Sequence, residues 1–176
     1  MAVVRLYTAN VVSLPLHTHS MDRPALSIDT FGELLPHLRG HVFHVSLASS
    51  LPAIKAADQL EVNDGRRESP FGNTSNGFFR LKGCVSFFDY RDCDSPAWDE
   101  HANKCFPTVP LRTESQIVIF FLADTEYGKL LSWENWKIEE AWSQRVVPHV
   151  ECGYPSPVPL SVLSSRLHVR ANSNTF

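Results

Sequence analysis

His41-Val42-Phe43-His44-Val45-Ser46-Leu47-Ala48-Ser49-Ser50-Leu51-Pro52-Ala53-Ile54 carries the pattern on which the fold turns. Its first half alternates. Val42, His44 and Ser46 fall on one face of an extended strand, and Phe43, Val45 and Leu47 on the other. The apolar set is expected to face a core, leaving an imidazole and a hydroxyl together on the opposite face. Ser49 or Ser50 then offers a hydroxyl to cap the free backbone N–H groups of a following helix, and Pro52 suits that helix's first turn. Leu51, Ile54 and Leu60 form its expected buried side. The functional reading is a short strand that delivers His44 into a groove. The plainer one is a histidine on an ordinary half-exposed strand.

The rest of the chain bounds that choice. With 176 residues, 43% hydrophobic and 20% charged, it suits one globular α+β domain over residues 1–170, followed by a short flexible tail at 171–176. No apolar run reaches the eighteen or more residues of a membrane span. Arg5, Asn10, Ser13 and Pro15 interrupt the N-terminal apolar pattern, so a signal peptide is not expected and a cytoplasmic location is. Cys84, Cys93, Cys105 and Cys152 are too few and too spread for a disulfide framework. A net charge of −3 without a basic block argues against non-specific nucleic-acid binding, although a local patch could still guide a nucleic acid.

Taken in order, residues 2–7 read as a first strand and residues 17–24 as a loop with His17 and His19. A helix is expected over residues 27–38, capped by Asp29 or Thr30, with Glu33 in its first turn and Pro36 limiting its length. Residues 63–76 form a long Gly/Asn/Ser loop that carries Arg66 and Arg67. A strand follows in the second half of 77–90, with Cys84, Ser86 and Phe88 on one face and Val85, Phe87 and Asp89 on the other. Residues 91–110 look irregular. The run 115–123 (Ser-Gln-Ile-Val-Ile-Phe-Phe-Leu-Ala) reads as a central strand covered on both faces. Residues 133–142 are an amphipathic helix or a packing loop with Trp133, Trp136 and Trp142. Residues 146–154 read as a strand with Val147, His149 and Glu151 on one face, then come a helical turn at 158–165 and a last strand at 166–170.

Three polar residues thus sit on expected strands among apolar neighbours: His44, Ser86 and Glu151. A carboxylate between Val150 and Cys152 needs a partner, a role or solvent. Cys84, Cys93, His101 and Cys105 are soft ligand types, but the nine-residue gap between the first two sulfurs is not that of a zinc knuckle. Asp94, Asp99 and Glu100 fit either an acid/base pair or, more simply, a solvated loop. Arg66 and Arg67 fit a phosphate clamp or an exposed loop. There is no GxGxxG, Walker, GxSxG or HExxH motif.

Phe43-His44-Val45-Ser46 with the following Leu-Ala-Ser-Ser-Leu-Pro-Ala-Ile resembles the opening of ADP-ribosyltransferase-like domains, in particular bacterial toxin–antitoxin DNA-modifying enzymes and related abortive-infection proteins. Gly83-Cys84-Val85-Ser86-Phe87-Phe88-Asp89 resembles their second signature strand. Pro148-His149-Val150-Glu151, followed by Cys-Gly-Tyr-Pro-Ser-Pro-Val-Pro-Leu-Ser-Val-Leu, resembles the third. The resemblance implies a split mixed or antiparallel sheet with short flanking helices. It also implies an NAD-dependent mono-ADP-ribosyltransferase, a toxin or phage-defence effector that modifies nucleic acid or protein. In that picture Glu151 is catalytic, His44 meets the adenosine ribose, and Ser46 or Ser86 holds the nicotinamide side. Phe87, Phe88 or Tyr90 stacks on a ring, and Arg66 or Arg67 meets the pyrophosphate or the acceptor. NAD is the co-substrate, an antitoxin a potential partner, and no metal or membrane is implied. The chain departs from the pattern at His149, where several subfamilies carry Gln or Glu, and lacks the glycine usual after Ile54. The alternative is an inactive protein of the same fold that binds through a surface near Trp133, Trp136 and Trp142.

Overall fold

The computed structural model describes residues 21–172. The expected first strand at 2–7, His17, His19 and the end of the tail lie outside them. Strand β1 (Leu26–Ile28) leads into helix α1 (Phe31–Leu38). The Glu33 carboxylate accepts from the N–H groups of Asp29 (2.7 Å) and Thr30 (3.3 Å), so the helix begins four residues later than expected and a strand precedes it. Strand β2 (Val42–Leu47) runs through a 3₁₀ turn into α2 (Leu51–Ala57) and the short β3 (Gln59–Leu60). No serine hydroxyl caps α2; the turn at Ala48–Ser50 continues directly into it, with Pro52 in the first turn as expected.

Helix α3 (Phe78–Leu81) precedes β4 (Val85–Asp89), and α4 (Pro96–Ala102) lies in the segment expected to be irregular. Ser95 makes the difference there: its hydroxyl accepts from the Trp98 N–H at 3.2 Å, and Pro96 fits the first turn. Then follow β5 (Gln116–Leu122), β6 (Leu131–Ser132), α5 (Glu134–Ile138), β7 (Glu151–Tyr154), β8 (Val158–Pro159) and β9 (Leu163–Ala171).

Seven strands form one sheet in the order β1-β9-β5-β2-β4-β7-β6, antiparallel except for the β1–β9 pair, and β3 pairs with β8 apart from it. The architecture is α+β with a mostly antiparallel mixed sheet. Strand β5 lies near its middle, and its continuous apolar run divides between two cores. Ile117, Ile119 and Phe121 enter the core of Phe43, Val45, Phe88 and Tyr90; Val118, Phe120 and Leu122 enter that of Val42, Phe87, Cys152 and Tyr154. Such two-sided cover is why this strand reads as unbroken hydrophobicity rather than as alternation. Among the described residues no helix is long and apolar enough to cross a membrane.

Candidate functional site

The three polar strand residues lie on neighbouring strands, β2, β4 and β7. Their register fixes which of them share a face. Phe43 pairs with Phe88 and Phe88 with Glu151, while Ser86 pairs with Gly153. Directly paired residues share a face and alternate residues return to it. Ser86, Phe88 and Glu151 therefore lie on one side of the sheet, and His44, Ser46 and Phe87 on the other. Ser86 and Glu151 are diagonal neighbours, roughly 7–8 Å apart by sheet geometry. His44 is not brought onto their face.

His44 sits where β2 and β4 part. The two strands share backbone bonds at His41 and Tyr90 and the pairs Val42–Asp89 and Phe43–Phe88; beyond these no further register pair joins them. The imidazole fills the opening, edge-on to Phe87 with ring centres 5.8 Å apart. Its Nδ1 lies 2.8 Å from the Ser86 carbonyl, which only accepts, so Nδ1 carries the proton and donates. The unprotonated Nε2 then accepts from the Ser46 hydroxyl at 3.1 Å. Burial holds the ring's pKa below its ordinary 6.5, partly opposed by the bond to Ser86. The result is a neutral histidine with both nitrogens engaged. The face of His44 and Ser46, expected to be open, is largely covered: Ser46 is only 9% exposed.

Glu151 begins β7, not the middle of a strand. Residues 147–150 form a turn in which His149 has φ +62°, so Val147, His149 and Glu151 do not share a strand face as expected. The Glu151 N–H donates to the Val147 carbonyl at 3.0 Å, and the Val147 N–H donates back to the Glu151 carboxylate at 2.7 Å. Burial raises the carboxyl above its ordinary 4.5, against that one bond. Burial, with a contribution from Glu151, pushes the Cys105 thiol up to about 12 and leaves it a poor nucleophile. Two positions along β7, Gly153 has no room for a side chain: a Cβ there would stand 2.5 Å from the Phe79 ring.

The remaining expected contacts are placed less favourably. Phe87, Phe88 and Tyr90 are core residues, with Phe88 stacked on Phe43 at 5.3 Å and Tyr90 edge-on to Trp98 at 4.8 Å. Arg66 pairs with Asp64 at 2.6 Å and Arg67 with Glu61, on an exposed loop. Asp94 pairs with Arg39, while Asp99 and Glu100 lie on α4. Among the described residues no three His, Cys, Asp or Glu side chains group so as to hold a metal ion. Trp136 packs inward and donates to the Gln144 carbonyl at 3.0 Å; Trp142 is exposed.

Comparison with protein-family models, with curated proteins and with solved structures finds no match to this chain. The site is read from its own geometry. That geometry also includes a cavity of about 320 Å³ lined by Asp89, Arg91, Ser132, Trp133 and His149 among others, which the sequence did not single out. These residues come from three separate segments. The one local signal, Arg91 two residues after Asp89, reads in sequence as an ordinary strand end.

Proposed function

We propose that the chain is an NAD-dependent mono-ADP-ribosyltransferase that modifies a nucleic acid or a protein, in the manner of a toxin or phage-defence effector held in check by an antitoxin. The observation that carries this reading is the adjacency of β2, β4 and β7, the strands that bear the three resemblance patches, with the sheet parting at His44 between the first two. Ser86 is exposed and Glu151 half-buried on one face, so a ligand lying along β4 could meet both. Cleavage of the nicotinamide–ribose bond develops positive charge on the ribose, and a carboxylate stabilises it as in a glycosidase. Glu151 has the chemistry for this once its carboxylate leaves the Val147 N–H. His44 acts by shaping the opening between β2 and β4, with NAD as co-substrate.

A specific observation favours a second reading, a binding protein of the same fold without catalysis. His44 lies on the opposite face from Glu151, and both nitrogens of His44 and one carboxylate oxygen of Glu151 are engaged within the chain. One experiment separates the two. Labelled NAD is incubated with the protein and a cell lysate, with wild type beside Glu151→Gln. Label transfer to macromolecules that falls at least a hundredfold in the variant supports the transferase; equal transfer removes Glu151 from the mechanism. Absence of both transfer and NAD binding leaves the binding-protein reading.

A further inference from the structure

The cavity beyond β4 and ahead of β7 has a wall chemistry that the strand signatures leave unused. Trp98, Trp133 and His149 give it ring surface; Asp89, Asp92, Glu134 and Arg91 give it charge. The His149 ring lies 4.5 Å from that of Trp133 and stacks on His101 at 5.8 Å, so the aromatic wall is braced from behind. Arg91 is already committed. Its Nε and Nη2 donate to the two oxygens of Asp89 at 2.8 and 2.6 Å, and its guanidinium lies 5.0 Å from the centre of the Tyr127 ring. Asp92 and Glu134 are exposed, and among the described residues neither carboxylate has an ion pair or hydrogen bond. Three carboxylates against one guanidinium leave the cavity negative.

We infer that this cavity binds a guanidinium group, supplied by a small molecule or by an arginine of a polypeptide. The face of the group lies on the Trp133–His149 wall and its N–H edge meets Asp92 and Glu134. The negative balance disfavours a phosphate-bearing ligand. Among the described residues no three His, Cys, Asp or Glu side chains group so as to hold a metal ion, so these carboxylates suit a wide, delocalised cation better than a metal. A guanidinium is planar, weakly hydrated, stacks on aromatic rings and donates along its edge to carboxylates; an ammonium is a compact, strongly hydrated charge. The site stands whether or not the chain transfers ADP-ribose.

The test is a titration of the full chain with N-acetyl-arginine methylamide, followed by the indole N–H resonance of Trp133 and assigned with Trp133→Phe. A saturable shift is expected. It weakens at least tenfold in the Asp92→Asn, Glu134→Gln double variant, whose exposed substitutions leave the rest of the spectrum unchanged. The uncharged citrulline analogue is expected to give no saturable shift. Equal binding of that analogue, undiminished binding by the double variant, a shift with AMP instead, or no saturation at tens of millimolar ligand overturns the inference. An arginine-containing tetrapeptide binding more tightly than the amide assigns the group to a polypeptide; equal binding assigns it to a small molecule.

Discussion

Strand β2 has two neighbours and meets them unequally. Five register pairs join it to β5, from Phe43–Phe121 to Leu47–Ile117, but only two join it to β4. On the β5 side the apolar side chains of both strands run into both cores. On the β4 side the ladder stops where His44 begins. A strand that leaves its partner leaves a backbone carbonyl, here that of Ser86, without its ladder donor. The imidazole supplies it, replacing with one side-chain bond what the ladder no longer provides. His44 is thus, before any role toward a ligand, the group that makes the opening affordable.

The seam between β2 and β4 is held by aromatic packing more than by hydrogen bonds, and its removal is the largest effect expected. Phe43 is fully buried, stacked on Phe88 and edge-on to Tyr90. Phe43→Ala is expected to cost about 3–5 kcal/mol in denaturant unfolding. A cost under about 1 kcal/mol would show that the β5 side alone sustains the sheet. His44→Leu keeps bulk but strands the Ser86 carbonyl and the Ser46 hydroxyl, at a cost of about 1–3 kcal/mol. Faster amide exchange at β4 than at β5 in that variant sharpens the comparison; equal exchange breaks it.

The polar residues of β2 and β7 also differ in the sign of their pH response. His44 has a lowered pKa, so its contribution is complete above about 6.5, the ordinary value, and is lost as pH falls through the lowered folded value. Glu151 has a raised pKa, so its contribution is complete below about 4.5 and is lost as pH rises through the folded value. Urea midpoints measured from pH 4 to 8 should therefore diverge in opposite directions. His44→Gln gains on the wild type as pH falls below about 6.5, and Glu151→Gln gains as pH rises above about 4.5. Parallel profiles would remove burial as the cause. The smallest effect is expected at Arg66→Ala, on a loop where the guanidinium is almost fully exposed: no measurable change in midpoint.

Much of this architecture is legible in the amino-acid order. The β5 run announces a strand covered on both faces, and the alternation of 42–47 and 85–89 sorts the side chains of β2 and β4 between two faces. Leu51 and Ile54 of α2 pack toward the core as expected, whereas Leu60 reaches that core from strand β3 and not from the helix. Other features are not. The turn at 147–150 is hidden because Val147, His149 and Glu151 alternate as in a strand, and nothing about a histidine signals a left-handed backbone. Helix α4 is hidden among prolines, although Ser95-Pro96 is its start.

The sequence by itself determined the strands β2, β4 and β5 and the alternation of side chains along them, because side-chain period and hydrophobicity are local properties. Tertiary structure alone decided that β2, β4 and β7 are neighbours, that Ser86 and Glu151 share a face which His44 does not, and that Asp89, Trp133 and His149 line one cavity. Those facts depend on register between strands far apart in the chain, and a shift of one residue in that pairing turns every side chain to the other face.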